Sequence, residues 1–190
     1  MSTNRRIAVL VGSLRSQSIN RRLALALERL APQHAFRPIP IDTIPLYNQD
    51  READPPAEVI RLKQTIEACD ALLFVTPEYN RSIPGVLKNA IDTASRPYGK
   101  NSFAGKPAGV IGTSSGAIGT ALAQQHLRNI LAYLDVPTMA QPEAFIQYSD
   151  GLIDDSGQVT KEATAKFLRA WVDKYLLWIE RVVARGAAAE

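Results

Sequence analysis

Three stretches of this sequence are apolar without interruption: Ile7-Ala8-Val9-Leu10-Val11, Ala71-Leu72-Leu73-Phe74-Val75 and Ala108-Gly109-Val110-Ile111. A strand with one face in water alternates apolar and polar residues, whereas a strand covered on both faces has no reason to alternate. These runs therefore read as interior strands of a parallel sheet with helices on both faces. Helical patterns fill the intervals. The first runs from Ile19 to Leu30. Later ones carry Val59, Ile60, Lys63 and Ile66, then Leu87, Ala90, Ile91 and Ala94, then Leu122, Leu127, Ile130, Leu131 and Leu134. The last carries Phe167, Leu168, Trp171, Val172, Tyr175, Trp178, Ile179 and Val182, a stripe that reads as core packing. Strand and helix signals in alternation mean a doubly wound α/β domain. A chain of 190 residues is long enough for one such domain with a full core. The expectation is a single domain over residues 1–190, with 186–190 as a frayed tail.

Prolines indicate the strand order. Phe36-Arg37-Pro38-Ile39-Pro40-Ile41 reads as the second strand, and Val136-Pro137-Thr138-Met139 as the start of the fifth. A short extension of that last strand is expected around Phe145-Ile146. Proline lacks the ladder donor and is confined to sheet edges. The order 2-1-3-4-5 puts both proline-bearing strands at edges, whereas 3-2-1-4-5 would bury the second strand. The ligand crevice then lies at the carboxyl ends of strands one and three.

Several function classes are weighed down by composition. No apolar run is long enough to span a bilayer, and Met1–Arg6 leads into an apolar run too short for a signal peptide. The single Cys69 excludes an internal disulfide and a cysteine-based metal cluster, and it reads as a small packed residue. A reducing, cytoplasmic setting is the expectation. Charge is unevenly placed. Residues 1–37 hold seven arginines against Glu28 alone, a local +6 within a chain of net charge +3. Such a field attracts phosphorylated ligands. Nucleic acid is not the expected partner, because no aromatic-studded sheet motif or finger spacing accompanies these arginines.

The basic segment surrounds a polar loop, Gly12-Ser13-Leu14-Arg15-Ser16-Gln17-Ser18-Ile19-Asn20, set between the first strand and the first helix. A helix N-terminus presents unpaired amides and the positive end of a dipole. Here the loop adds three hydroxyls, a guanidinium and an amide, all donors for phosphate oxygens. Its lone Gly12 is too little for a dinucleotide fingerprint, so a terminal phosphate monoester fits better. A Ser N-cap beside a solvated arginine explains the same residues. After the third strand comes Thr76-Pro77-Glu78-Tyr79-Asn80-Arg81-Ser82-Ile83-Pro84-Gly85, in which Tyr79 offers a flat face to a ring system. A proline-rich turn is the plainer account of it. After the fourth strand comes Gly112-Thr113-Ser114-Ser115-Gly116-Ala117-Ile118-Gly119-Thr120, whose glycines let backbone approach a planar ligand. Each loop is ambiguous alone, but all three converge on one crevice in the expected topology.

These motifs resemble a known family. Gly12-Ser13-Leu14-Arg15 with Ser18 and Asn20, Pro77-Glu78-Tyr79-Asn80, and Pro84-Gly85-Val86-Leu87-Lys88-Asn89-Ala90-Ile91-Asp92 are similar to the NADPH-dependent FMN reductases, in the quinone and chromate reductase branch. Ala104-Gly105-Lys106-Pro107, Ser114-Ser115-Gly116 and His126-Leu127-Arg128 fit as well, so the resemblance runs from about Ile7 to Glu143. It implies a flavodoxin-like five-stranded parallel sheet, bound FMN, NADPH or NADH as co-substrate, and a homodimer or homotetramer. By the same resemblance Ser13, Arg15, Ser18, Ile19 and Asn20 hold the FMN phosphate. Pro77, Glu78, Tyr79, Asn80, Ser115 and Gly116 contact its ring. Thr93 departs from the pattern, standing where many relatives carry an aromatic residue.

The implied activity is ping-pong hydride transfer from NAD(P)H through FMN to small acceptors. Quinones lead, with chromate, azo compounds and free flavin as further acceptors. The flavin carries the chemistry, so no catalytic acid, base or nucleophile is assigned, and no metal site is expected. The alternative is a flavodoxin-like electron carrier without its own NAD(P)H site. A third reading is a scaffold that has lost flavin, against which Arg15 and Tyr79 argue. His34, in a turn after Pro32, is expected to face solvent. His126 reads as a surface or interface histidine, with a catalytic base conceivable. Asp42–Pro56 is a long polar loop, either a lid or a connection.

Overall fold

The computed structural model describes residues 4–187. In chain order it contains β1 (Arg6–Val11), α1 (Ile19–Leu30), β2 (Ala35–Pro38), α2 (Ala57–Glu67), β3 (Ala71–Val75), α3 (Gly85–Ala94), β4 (Ala108–Ser114), α4 (Ala121–Tyr133), β5 (Phe145–Gln147) and α5 (Glu162–Ala187). The strands form one parallel sheet in the order β2-β1-β3-β4-β5. At its centre Ile7 pairs with Ala71 and Val11 with Val75, while Leu72 pairs with Ala108 on the other side of β3.

The uninterrupted apolar runs are explained by two cores. Ile7, Val9, Leu73, Val75 and Ile111 face α1 and α5, packing on Leu23, Leu27, Leu168, Trp171 and Tyr175. Ala8, Leu10, Leu72, Phe74 and Val110 face α2, α3 and α4, packing on Leu62, Ile66, Leu87, Ile91 and Leu127. Neighbouring residues on each strand thus enter opposite cores, and each large side chain gains about 1.5–3 kcal/mol from burial. Gly109 is required where α5 crosses β4, since an added Cβ would lie 2.9 Å from both Trp171 and Tyr175. Tyr175 meets its own polar need by donating to the Leu72 carbonyl at 2.7 Å.

Both proline segments lie at the sheet's edges. Pro38 ends β2, after which the Ile39 amide donates to the Val9 carbonyl at 2.9 Å. The fifth strand requires a correction. Pro137–Met139 makes a single bridge, with Ala108 donating to the Pro137 carbonyl and Met139 donating back to Ala108. The chain then leaves the edge and returns as β5, where Phe145–Gln147 pair with Gly112–Ser114. Pro137 has no amide to extend that bridge toward its N-terminal side, and on its C-terminal side the chain leaves the edge after Met139, so the edge is split in two.

α5 runs to Ala187, and residues 188–190 of the expected tail lie outside the described residues. One further expectation changes. His34 is buried rather than solvent-facing. Its Nδ1 accepts from the Arg5 amide at 3.2 Å, beside the paired Arg5 and Glu180 side chains that tie β1 to α5. Burial lowers the pKa of its ring. No described helix is long and apolar enough to cross a membrane.

Candidate functional site

The loops after β1, β3 and β4 meet at two glycines. The Gly12 amide donates to the Val75 carbonyl at 2.9 Å, and a Cβ on Gly12 would stand 3.2–3.3 Å from Leu87, Pro77 and Thr76. A Cβ on Gly112 would stand 2.1 Å from the Thr76 carbonyl oxygen and 2.2 Å from Thr120 Oγ1. Only hydrogen fits at Gly112, and Gly12 is closely packed, so the two glycines let the first, third and fourth loops share one rim. The convergence expected from the topology is therefore present.

In the first loop Ser18 is the N-cap of α1, its Oγ accepting from the Arg21 amide at 3.2 Å. Ser13 and Ser18 are buried, Ile19 is half-buried, and Arg15 is exposed. Arg15 enters none of the ion pairs among the described residues. The nearby Arg22 is committed instead to Gln17, Tyr148 and Asp155. Among the described residues, none of the backbone amides from Ser13 to Asn20 donates to a protein acceptor. Such a run of unspent donors at a helix N-terminus is an anion cradle. Asn20 is placed differently from the others. It is buried, with Nδ2 donating to the Thr113 carbonyl at 2.9 Å and Oδ1 accepting the Thr113 amide at 3.0 Å. It clamps the first turn of α1 onto β4 and spends its amide there.

In the second loop Tyr79 and Ser82 close a two-residue turn, and Asn80 and Arg81 both have positive φ. Tyr79, in that turn, is 48% exposed. Pro77 packs beneath, near Gly12. Glu78 turns away: its carboxylate accepts from the Leu122 and Ala123 amides at 3.0 and 3.2 Å. It caps α4, whose own N-cap Thr120 supplies no side-chain bond, and a negative charge suits that helix end. The Glu78 backbone remains available to a ring. In the third loop Ser115 and Gly116 are exposed, and the Gly116 amide donates to Ser114 Oγ at 3.2 Å.

No motif marked the clamp partner Thr113, the α4 amides that hold Glu78, or the contact between His126 Nδ1 and Ser82 Oγ at 3.0 Å. Each joins residues far apart in the chain, with no periodicity to mark the pair. The Asp42–Pro56 loop roofs a cavity of about 410 Å³ along α2 and the C-terminal end of α3, with Thr93, Lys63 and Arg96 in its walls, and none of the rim residues lines it. Lys63 is held there by three carbonyls, those of Ala94, Arg96 and Lys100. Among the described residues no cluster of three or more metal-ligating side chains exists.

This sheet order and three-loop rim define a flavodoxin-like flavoprotein. The sequence matches the profile of the NADPH-dependent FMN reductases over residues 5–150. It is 52% identical over 175 residues to the 2-hydroxy-1,4-benzoquinone reductase of a Burkholderia species, covering 92% of this chain and 96% of that protein. It is 49% identical over 176 residues to a quinone reductase of Pseudomonas putida, covering 92% and 94%. The structure of FerB from Paracoccus denitrificans, a flavoenzyme NAD(P)H:(acceptor) oxidoreductase, is similar at a TM-score of 0.90 and 51% identity, covering 93% and 98%. The chain belongs to the NADPH-dependent FMN reductase family. It is an oxidoreductase with FMN as cofactor and NAD(P)H as co-substrate.

Proposed function

We propose that this protein is an NAD(P)H-dependent, FMN-containing quinone reductase. The observation that carries the reading is the cradle at α1: amides 13–20 with no protein acceptor, capped by exposed Arg15 and lined by buried Ser13 and Ser18. A phosphate monoester fits that donor set, since it offers acceptor oxygens to every group and charge to Arg15. Ser13, Arg15, Ser18 and the Ile19 amide hold the phosphate, while Asn20 keeps the cradle fixed to β4. Pro77, the Glu78 backbone, Tyr79, Asn80, Ser115 and Gly116 flank the ring.

FMN supplies the hydride relay between nicotinamide and acceptor. The half-exposed Tyr79 leaves one side of the rim open, so the two substrates take turns there, a ping-pong order. Quinones are the leading acceptors because the two relatives described above are named for them. Chromate, azo compounds and free flavin are further acceptors of the same electrons. The working unit is a homodimer or homotetramer. Leu46, Tyr98 and Tyr133 are each at least 80% exposed, which is apolar surface of the kind a second copy covers. In that unit the Asp42–Pro56 loop reaches over the neighbour's flavin. Buried, reduced Cys69 suits the cytoplasm.

The test is the absorption spectrum of the purified protein, followed by anaerobic NADPH. A yellow protein that bleaches at once, and recovers on adding a quinone, supports the reductase. A yellow protein that NADPH leaves unbleached is an electron carrier. A colourless protein that rejects added FMN is neither.

A further inference from the structure

The turn that presents Tyr79 is poorly able to hold itself. Tyr79 donates to the Ser82 carbonyl at 2.9 Å and Ser82 returns the bond at 3.0 Å, and these two bonds close the hairpin; the other tie within it is a long Arg81–Glu78 ion pair at 3.4 Å with an exposed arginine, of little weight in water. Its central residues, Asn80 and Arg81, have φ of 50° and 65°. Asparagine tolerates left-handed backbone, but arginine does so at a cost. A hairpin this short is not stable alone in water. It has to be braced from outside.

α4 provides the brace at two levels. Glu78, just before the turn, accepts from the Leu122 and Ala123 amides. One helical turn further on, His126 Nδ1 meets Ser82 Oγ at 3.0 Å. Residues three and four apart share a helix face, so both contacts fall on the same side of α4. Ser82 is the hairpin partner of Tyr79, and a hold on one end of the turn is a hold on the other.

We infer that His126 is a positioning residue of the ring site: through Nδ1 it fixes Ser82 and so keeps Tyr79 in place against the ring. This rests on the reading above that Tyr79 flanks the flavin. The bond forms in either neutral tautomer, because a serine hydroxyl gives or accepts a hydrogen bond. A different role for the same residue would use Nε2, handing a proton to the reduced quinone. The two are separable by side-chain geometry. Asparagine puts an amide where Nδ1 sits, and glutamine reaches the place of Nε2.

The experiment compares the holoenzyme with its His126→Ala, His126→Asn, His126→Gln and Ser82→Ala variants, and with the Ala/Ala double variant. Two quantities are read: amide hydrogen exchange at Tyr79 and Ser82, and kcat/KM for a simple benzoquinone. Loss of one neutral hydrogen bond sets the scale at about fivefold in each. Either alanine is expected to speed exchange and lower kcat/KM by that factor, with no further loss in the double variant. Asparagine restores both quantities and glutamine neither. Rescue by glutamine but not asparagine overturns the inference in favour of proton donation. Single effects that add, or exchange that stays at the wild-type rate in both alanine variants, also overturn it. Faster exchange with unaltered quinone kinetics severs the hairpin from the ring and overturns it too. Exchange reads the brace without reference to FMN. Wild-type FMN binding therefore tests the site reading separately.

Discussion

At the scale of single residues, Arg15 carries the sharpest consequence. It is exposed, enters no ion pair among the described residues, and stands before the unspent amides of α1. A hydrogen bond to a charged group contributes about 1.5–3 kcal/mol. Arg15→Ala is therefore expected to weaken FMN binding by roughly ten- to a hundredfold. Riboflavin lacks the phosphate, and its affinity should hardly change. Fluorescence titration of the apoprotein with both flavins checks this, and equal loss for both would mean that Arg15 shapes the loop instead. His34 supports a second prediction, on pH. Its Nδ1 accepts from the Arg5 amide, its Nε2 is buried without a partner, and Arg5 and Glu180 are the charges beside it. Burial holds its folded pKa below the ordinary 6.5, so the unfolded chain binds the proton first. Stability is then full above about pH 6.5 and falls as pH drops toward the folded value. Denaturant melts at pH 7.5 and 5.5 should show the loss, and His34→Gln should reduce it. Glu180, its pKa lowered by the Arg5 hydrogen bonds, adds a loss only at more acid pH, below the usual glutamate range.

At the scale of elements, the glycines of β4 and its loop have separable jobs. A methyl group on Gly112 would meet the Thr76 carbonyl at 2.1 Å, which is backbone and cannot swing aside. Gly112→Ala should cost on the order of 3 kcal/mol and loosen the rim. Gly116 has open space, its nearest atom being Ser114 Oγ at 3.6 Å. Gly116→Ala should change stability by less than about 0.5 kcal/mol, and on the proposal that its bare backbone flanks the ring it should weaken flavin binding. Thermal melts alongside FMN titration separate the two. The same elements mark what can be read from sequence. The buried runs of β1, β3 and β4 were legible because burial on both faces suppresses alternation, and Pro38 and Pro137 correctly marked edges. The weight of the fifth strand was misplaced: Val136–Met139, expected as its start, makes only one bridge, and the ladder lies at Phe145–Gln147, where only a short extension was expected, because three residues after Gln141-Pro142 carry almost no periodic signal. Ser18 was legible as a cap because capping is local, spanning Ser18 to Arg21. Asn20 and Glu78 were drawn to the ligand by their chemistry, yet the side chains of both close bonds to distant backbone, at Thr113 and at Leu122 and Ala123. Their partners are set by the sheet order, and a motif alone cannot name them.

At the scale of the whole molecule, the arrangement distinguishes an enzyme from a carrier. Of the seven arginines in the first 37 residues, Arg5, Arg6 and Arg22 are paired with Glu180, Asp70 and Asp155, whereas Arg15 on the loop after β1 enters no ion pair among the described residues, within a chain of net charge +3. An unpaired cation at that loop favours phosphorylated ligands, and a dinucleotide co-substrate is one. Exposed Tyr98 and Tyr133 share one surface cleft at the C-terminal ends of α3 and α4, and exposed Leu46 adds apolar surface on the Asp42–Pro56 loop, surface suited to a second copy. Light scattering across the working concentration range should therefore report a dimer or tetramer, and a monomer throughout would refute that assembly. The rim itself is formed by three loops locked together at Gly12, Thr76 and Gly112, with one exposed aromatic face at Tyr79. If nicotinamide and quinone take turns at one shared face, as proposed above, the nicotinamide leaves before the quinone enters. Initial rates with NADPH varied at several fixed quinone concentrations should give parallel double-reciprocal lines. Excess quinone should inhibit competitively against NADPH, because it occupies the same face of the oxidised form. Intersecting lines would mean that both substrates bind together, and the single shared face would then be wrong.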